Sequence, residues 1–237
     1  MLELNQIYCG DCLDLMREMP DKSVDLVLTD PPYSEKTHVG MRSMSKDGHA
    51  ATSIDFDSID ESELRIIFNE IGRVSKAWIV SFIDWRHAAI LEEHPPNNLD
   101  FVRLGIWVKP NGMPQLTADR PSTGWEAIAF LHRSDKKKEW NGGGSSSVFT
   151  HNNVRAGRFV ANFHPTEKPL GLVQELLDLF SKPGDVVLDP FCGSGTTAIA
   201  CKMTGRNYIA MEKDKKYYDV ALERIERVNN HKLTDFW

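Results

Sequence analysis

Apolar positions along this 237-residue chain fall into two alternating patterns: short continuous runs and stripes at helical spacing. The runs at 6–9, 24–29, 78–83, 101–108, 126–132, 185–188 and 207–211 read as strands bounded by turn residues. Between them, helical spacing predicts helices over 11–19, 61–74, 85–93, 170–180, 196–204 and 214–229. In 61–74 the stripe is Leu64, Ile67, Phe68, Ile71 and Val74, and Asp60 with Glu63 forms a capping-box pair. In 170–180 it is Leu172, Val173, Leu176, Leu177 and Phe180, and in the last helix Ala221, Leu222, Ile225 and Val228. Alternating strands and helices predict an α/β fold, a mostly parallel sheet with helices on both faces. The length suits one large domain, or one domain with a small insertion.

Two stretches break the pattern. Residues 34–58 are polar and read as a long loop, and loops of that length are usually functional or mobile. From 134 to 162 periodicity disappears. Asn141-Gly142-Gly143-Gly144-Ser145-Ser146-Ser147 reads as a disordered surface loop. Its flanks, with Trp140, Phe149, His151, Asn152 and Asn153, are richer than a linker needs.

Charge adds one feature. The chain carries a net −6, yet Arg133, Lys136, Lys137, Lys138, Arg155 and Arg158 face only Asp135 and Glu139 in their stretch, a local balance of +4. A solvated basic loop and a phosphate-contacting surface fit this equally well. No apolar run is long enough to span a bilayer, and the first residues lack the basic and apolar regions of a signal peptide. A cytosolic protein with four reduced cysteines is therefore expected.

Two turns carry the chemistry. Asp30-Pro31-Pro32-Tyr33 follows the apolar run 24–29, and two prolines cannot continue a sheet ladder. The chain must leave the strand in a fixed loop that sets a carboxylate, a free carbonyl and an aromatic ring side by side. Those groups suit a planar amine: two acceptors for its hydrogens and a face to stack on. A nucleic-acid base with an exocyclic amino group is the natural candidate. The second turn, Asp189-Pro190-Phe191-Cys192-Gly193-Ser194-Gly195-Thr196-Thr197, joins a strand to a helix start. Its glycines let a ligand approach the backbone and the helix N-terminal amides. The next strand ends in Glu212, where a nucleotide-binding fold holds ribose hydroxyls.

Together these turns resemble the amino-methyltransferases of DNA, which methylate adenine N6 or cytosine N4 with S-adenosylmethionine. The catalytic element [DNS]-P-P-[YFW] matches 30–33, and the cofactor element FxGxG matches 191–195. The catalytic element comes first, which is the permuted order of the beta group. Tyr8-Cys9-Gly10-Asp11-Cys12 resembles the family's N-terminal element, whose acid lies near the cofactor adenine. Trp107-Val108-Lys109-Pro110 resembles its W-x-K-P segment. His164-Pro165-Thr166-Glu167-Lys168-Pro169 resembles the H-P-T-x-K-P element bordering the methionine part of the cofactor.

The resemblance implies a Rossmann-like class I methyltransferase fold, with a seven-stranded sheet, one strand reversed and a circularly permuted order. It divides the chain into a catalytic half (1–133), a short target-recognition insertion (134–163) and a cofactor-binding half (164–237). Asp30, Pro31, Pro32 and Tyr33 are the implied catalytic residues. Asp11, Asp30, His164, Thr166, Lys168, Asp189, Phe191, Gly193, Gly195, Thr196, Thr197 and Glu212 are the implied cofactor residues. Lys109, Lys136, Lys137, Lys138, Arg155 and Arg158 are the implied DNA contacts, which turns the basic stretch towards the phosphate-contacting reading. Double-stranded DNA is the expected partner, with a homodimer and a cognate restriction endonuclease as further expected partners. The expected setting is the cytoplasm of a bacterial or phage-encoded system. Adenine is favoured over cytosine because the motif begins with aspartate, whereas serine is commoner among cytosine-N4 enzymes.

Rival readings are weaker. Cys9-x-x-Cys12 lacks the second close pair that zinc would want, so the cysteines read as small core residues. No H-x-x-x-H pair lies on a predicted helix, and no metal is expected. A catalytically silent DNA-binding homologue, or an RNA or protein substrate, would leave the intact two-turn arrangement or its permuted order unexplained. A nicotinamide oxidoreductase would leave the Pro-Pro-Tyr loop unused.

Overall fold

Residues 2–34, 58–112, 114–115, 119–154 and 167–230 are described by the computed structural model. Among these residues eight strands form one sheet: β1 (Gln6–Cys9), β2 (Val24–Thr29), β3 (Ser75–Ile83), β4 (Leu99–Val108), β5 (Trp125–Arg133), β6 (Val148–Thr150), β7 (Val186–Asp189) and β8 (Asn207–Glu212). Their spatial order is β1-β8-β7-β2-β3-β5-β4-β6. β5 runs antiparallel to both neighbours and every other pairing is parallel, so β5 is the single reversed strand.

Among the described residues six helices cover the sheet: α1 (Cys12–Arg17), α2 (Glu61–Val74), α3 (Trp85–Glu93), α4 (Leu170–Phe180), α5 (Thr196–Met203) and α6 (Lys215–Asn230). Alternate residues of a strand face opposite sides, and this sorts the core in two. Leu26, Leu28, Val80 and Val187 pack with Leu172, Leu176, Ala198 and Ala221 of α4, α5 and α6. Val24, Val27, Ile79 and Leu188 pack with Met16, Leu64, Phe68, Ile71 and Leu91 of α1, α2 and α3. Leu64, Phe68 and Ile71 are wholly buried, and each such side chain contributes about 1.5–3 kcal/mol. The capping box opens α2 as expected, Asp60 accepting from the Glu63 amide and the Glu63 side chain accepting from Asp60.

The strand count exceeds the expected seven. β6 has three residues, too few for alternation to register, yet Phe149 is buried and the strand pairs with Ile106–Val108 of β4. The glycine–serine stretch before it is ordered, contrary to the disorder read from its composition. Asn141 donates to the Asp178 and Ser181 carbonyls at the end of α4, and the Ser145 amide closes a turn on Gly142. The expectation for the cysteines needs one change: Cys12, Cys192 and Cys201 are buried thiols, but Cys9 is exposed.

Candidate active site

β2 and β7 are parallel neighbours, with Leu26 beside Val187 and Val27 beside Leu188. The turns that follow them, 30–33 and 190–195, therefore leave the same edge of the sheet side by side. That edge, outside the carboxyl ends of parallel strands, is where open α/β sheets bind ligands. A cleft of about 560 Å³ lies there, lined by Asp30 to Tyr33 on one side and Asp189 to Ser194 with Glu212 on the other.

On the acceptor side a carboxylate absent from the motif organises the loop. Glu126, the second residue of β5, reaches this edge because β5 runs backwards and begins where its neighbours end. The Tyr33 hydroxyl donates to Glu126 Oε2 at 3.0 Å. Lys109 Nζ, at the end of β4, pairs with Glu126 Oε1. Lys168 Nζ pairs with Asp30 Oδ2 and lies 3.5 Å from Glu126 Oε2. Two lysines thus balance two carboxylates in a largely buried cluster. Asp30 Oδ1 is buried without a hydrogen-bond partner among the described residues. Beyond Tyr33, the Ser34 amide donates to Asp84 Oδ2 at 2.7 Å, while Asp84 Oδ1 caps α3 through the Arg86 and His87 amides.

On the donor side Gly193 and Gly195 take left-handed conformations, φ 50° and 83°. A Cβ at Gly195 would stand 3.0 Å from that of Ala221. Glu212 holds the turn by accepting from the Gly193 amide (2.9 Å) and the Asp214 amide (2.8 Å). Asp11 caps α1 and meets Lys213 at 3.2 Å.

The sequence of this chain matches the DNA methylase family of N6/N4 methyltransferases over residues 24–223. It belongs to that family. The type II methyltransferase M.HinfI of Haemophilus influenzae is 29% identical over 95% of this chain and 69% of its own length. The type II methyltransferase M.Cfr9I of Citrobacter freundii is 28% identical over 95% and 89%. Among solved structures, the M1.HpyAVI–SAM complex superimposes with a TM-score of 0.69 at 26% identity, covering 93% of this chain and 98% of that one. The cytosine-N4-specific PvuII DNA methyltransferase shares the fold, with a TM-score of 0.71 at 15% identity over 95% and 91%. The protein is an S-adenosylmethionine-dependent DNA amino-methyltransferase with a class I methyltransferase fold.

Burial dominates the electrostatics of this methylase's cleft. It pushes the Asp30 carboxyl up, and repulsion from Glu126 adds to that, against the attraction of Lys168. Burial would also raise Glu126, but Lys168 and Lys109 outweigh it and hold Glu126 below its ordinary value. Lys168 is desolvated, yet its two carboxylates keep it protonated. Burial and the neighbouring Asp30 and Glu126 carboxylates push the Tyr33 phenol well up, so it stays a donor. Asp189, buried at the end of β7, is raised to about 6 by desolvation.

Asp11, Asp30 to Tyr33, Lys168, Asp189, Phe191, Gly193, Thr196, Thr197 and Glu212 all line the one cleft, and Gly195 caps α5 behind it. His164, Thr166, Arg155 and Arg158 lie outside the described residues. Lys109 is drawn into the carboxylate cluster, with its side chain 12% exposed. Lys136, Lys137 and Lys138 follow the far end of β5, which lies roughly 24 Å from Glu126 along the strand. Lys137 pairs there with Glu139 and Lys138 with Asp100. Sequence reading missed Glu126, whose one signal was an acid beside an otherwise apolar strand, and Asp84, whose signal was its place before a helix.

Proposed function

We propose that the protein methylates adenine N6 on a base flipped out of double-stranded DNA. The observation that carries this reading is Asp30 Oδ1, a buried acceptor with no partner among the described residues, beside the Tyr33 ring. A base inside a duplex cannot reach a buried donor, so it must be extruded. Tyr33 stacks on the extruded base, its ring held by Glu126. Asp30 Oδ1 and the Pro31 carbonyl each accept a hydrogen of the amino group. This turns the nitrogen lone pair out of the ring system and towards the donor half. When bound, S-adenosylmethionine supplies an electrophilic methyl on a sulfonium. The chain's part is positioning and electrostatics. Lys168 holds Asp30 in place through Oδ2 and leaves Oδ1 for the base.

The donor half fits the cofactor. The cleft volume lies in the range of small-molecule sites, and the glycine turn gives close backbone approach. Asp11, Phe191, Gly193 and Glu212 would hold the adenosine, with Asp189, Thr196 and Thr197 beside them. His164, Thr166 and Lys168 would border the methionine end. Glu212 keeps acceptor capacity for a ribose hydroxyl beyond its two backbone bonds.

The duplex would meet the cleft edge of the sheet. Trp85, 57% exposed with the Arg86 guanidinium stacked on it at 4.2 Å, and Trp125, 39% exposed, stand at that edge. The lysine triplet at the far edge has no part in this reading, while Arg155 and Arg158 keep their proposed DNA contacts.

The test is to incubate the protein with S-adenosylmethionine and unmodified genomic DNA, digest to nucleosides and separate them by mass. N6-methyldeoxyadenosine is expected. N4-methyldeoxycytidine alone would overturn the adenine assignment, and no methylated nucleoside would favour a silent homologue.

A further inference from the structure

Glu167 and Lys168 are consecutive, and their side chains go to opposite partners. Lys168 reaches the acceptor cluster, whereas Glu167 Oε1 accepts from Arg224 of α6 at 2.5 Å. The same guanidinium donates at 2.7 Å to both the carbonyl and the hydroxyl of Ser194, in the glycine turn. Glu167 lines the cleft, its side chain is 8% exposed, and its Oε2 is buried with no hydrogen-bond partner among the described residues. A buried carboxylate oxygen left without a donor is costly, which marks it as a position that a ligand's donor can fill.

The methionine end of the cofactor carries an ammonium, a cation with three donors. The other donor-side carboxylates already serve backbone amides or Lys213, and the capacity left on Glu212 is assigned to the ribose. Both oxygens of Glu212 accept backbone amides, Asp11 serves Leu13 and Lys213, and Asp214 accepts from the Lys216 amide. Asp189 is bonded to the Phe191 amide. Asp30 belongs to the base. We infer that Glu167 Oε2 receives the α-ammonium of the cofactor and that Arg224 positions it by clamping the other oxygen to the glycine turn. This rests on the S-adenosylmethionine reading of the cleft. It assigns a role to the variable position of the H-P-T-x-K-P element, and it ties cofactor capture to the packing of the last helix.

Calorimetric binding of two probes tests it without any turnover. S-adenosylhomocysteine carries the ammonium; 5′-methylthioadenosine lacks the whole amino-acid end. Glu167→Gln should weaken S-adenosylhomocysteine about tenfold or more and leave 5′-methylthioadenosine within about twofold. Equal weakening of both probes, or of neither, overturns the inference. If the wild-type protein binds neither probe, the cofactor reading fails instead. Should Glu167→Gln fold poorly because it strands the Arg224 charge, the double variant Glu167→Gln, Arg224→Gln removes both charges together. The same selective loss is expected there, with the unliganded melting temperature as the folding control.

Discussion

Tyr33 and Glu126 stand 93 positions apart in sequence, yet the phenol donates to the carboxylate at 3.0 Å and both line one cleft. The bond fixes the ring plane on which a base is proposed to stack. Tyr33→Phe keeps the ring and loses the bond, so kcat should fall a few fold. Glu126→Gln also leaves Lys109 and Lys168 short of a counter-charge in a buried place. Its kcat/KM should fall by about 10–100-fold. Steady-state kinetics on both variants checks the order; equal effects would show that the lysine contacts carry no weight.

Asp30 must be ionised to accept from the amino group, and burial with Glu126 repulsion raises its pKa. Activity should therefore decline on the acid side at a higher pH than an unperturbed aspartate would give. Removing the Glu126 charge eases ionisation of Asp30, so the acid limb of kcat/KM in Glu126→Gln should move to lower pH. Asp30→Ala should lose about 10²–10³ in kcat while still binding S-adenosylhomocysteine. Undiminished methyl transfer by that variant would remove Asp30 from the mechanism.

Asp189 has a folded pKa of about 6, above the unfolded value of about 3.8, so the folded state favours the neutral form. Its ionisation costs stability as pH rises through that window, by about 2–3 kcal/mol once complete. Unliganded Asp189→Asn should melt higher than wild type at pH 8, with the difference shrinking below pH 6 and gone near pH 3. Thermal melts across this range decide it, and a lower melting point at pH 8 would contradict the desolvation argument.

Asp84 does two jobs, capping α3 and holding the Ser34 amide. Asp84→Ala should cost about 1–2 kcal/mol from the cap, a fall in Tm of roughly 2–8 °C. It should also lower kcat, because the catalytic loop loses its downstream anchor. Asp84→Asn keeps an acceptor and should recover most of the kcat.

Trp85 and the Lys136–Lys138 triplet give opposite expectations for DNA. Trp85→Ala should weaken duplex binding about tenfold, since one aromatic–base stack contributes about 1–3 kcal/mol. Triple alanine replacement at Lys136, Lys137 and Lys138 should leave binding within about twofold. Fluorescence anisotropy at one fixed salt concentration measures both; the reverse ranking would move the DNA to the far edge of the sheet.

Legibility followed the range of the interaction concerned. The stripe on α2, its capping box and the left-handed glycines are local, and the sequence expresses them within a turn or two. The two motif turns could be paired because parallel strands deliver their ends to one edge. The Glu126 cluster joins three distant segments, so nothing near Glu126 announces Tyr33 or Lys168. β6 is held by pairing with β4 and by one buried ring, neither of which a three-residue pattern reveals. Composition marked the basic stretch but carried no sense of which edge of the sheet Lys136 would occupy.

The pairing of β1 with β8 has a practical consequence. Gln6 lies beside Ile209, and α6 leaves the cleft edge at Lys215 and runs back to Asn230, so both described ends of the chain emerge on the side away from the cleft. A targeting module joined directly at Leu2 or Asn230 would sit behind the enzyme, leaving the cleft edge clear for steered methylation at a chosen locus.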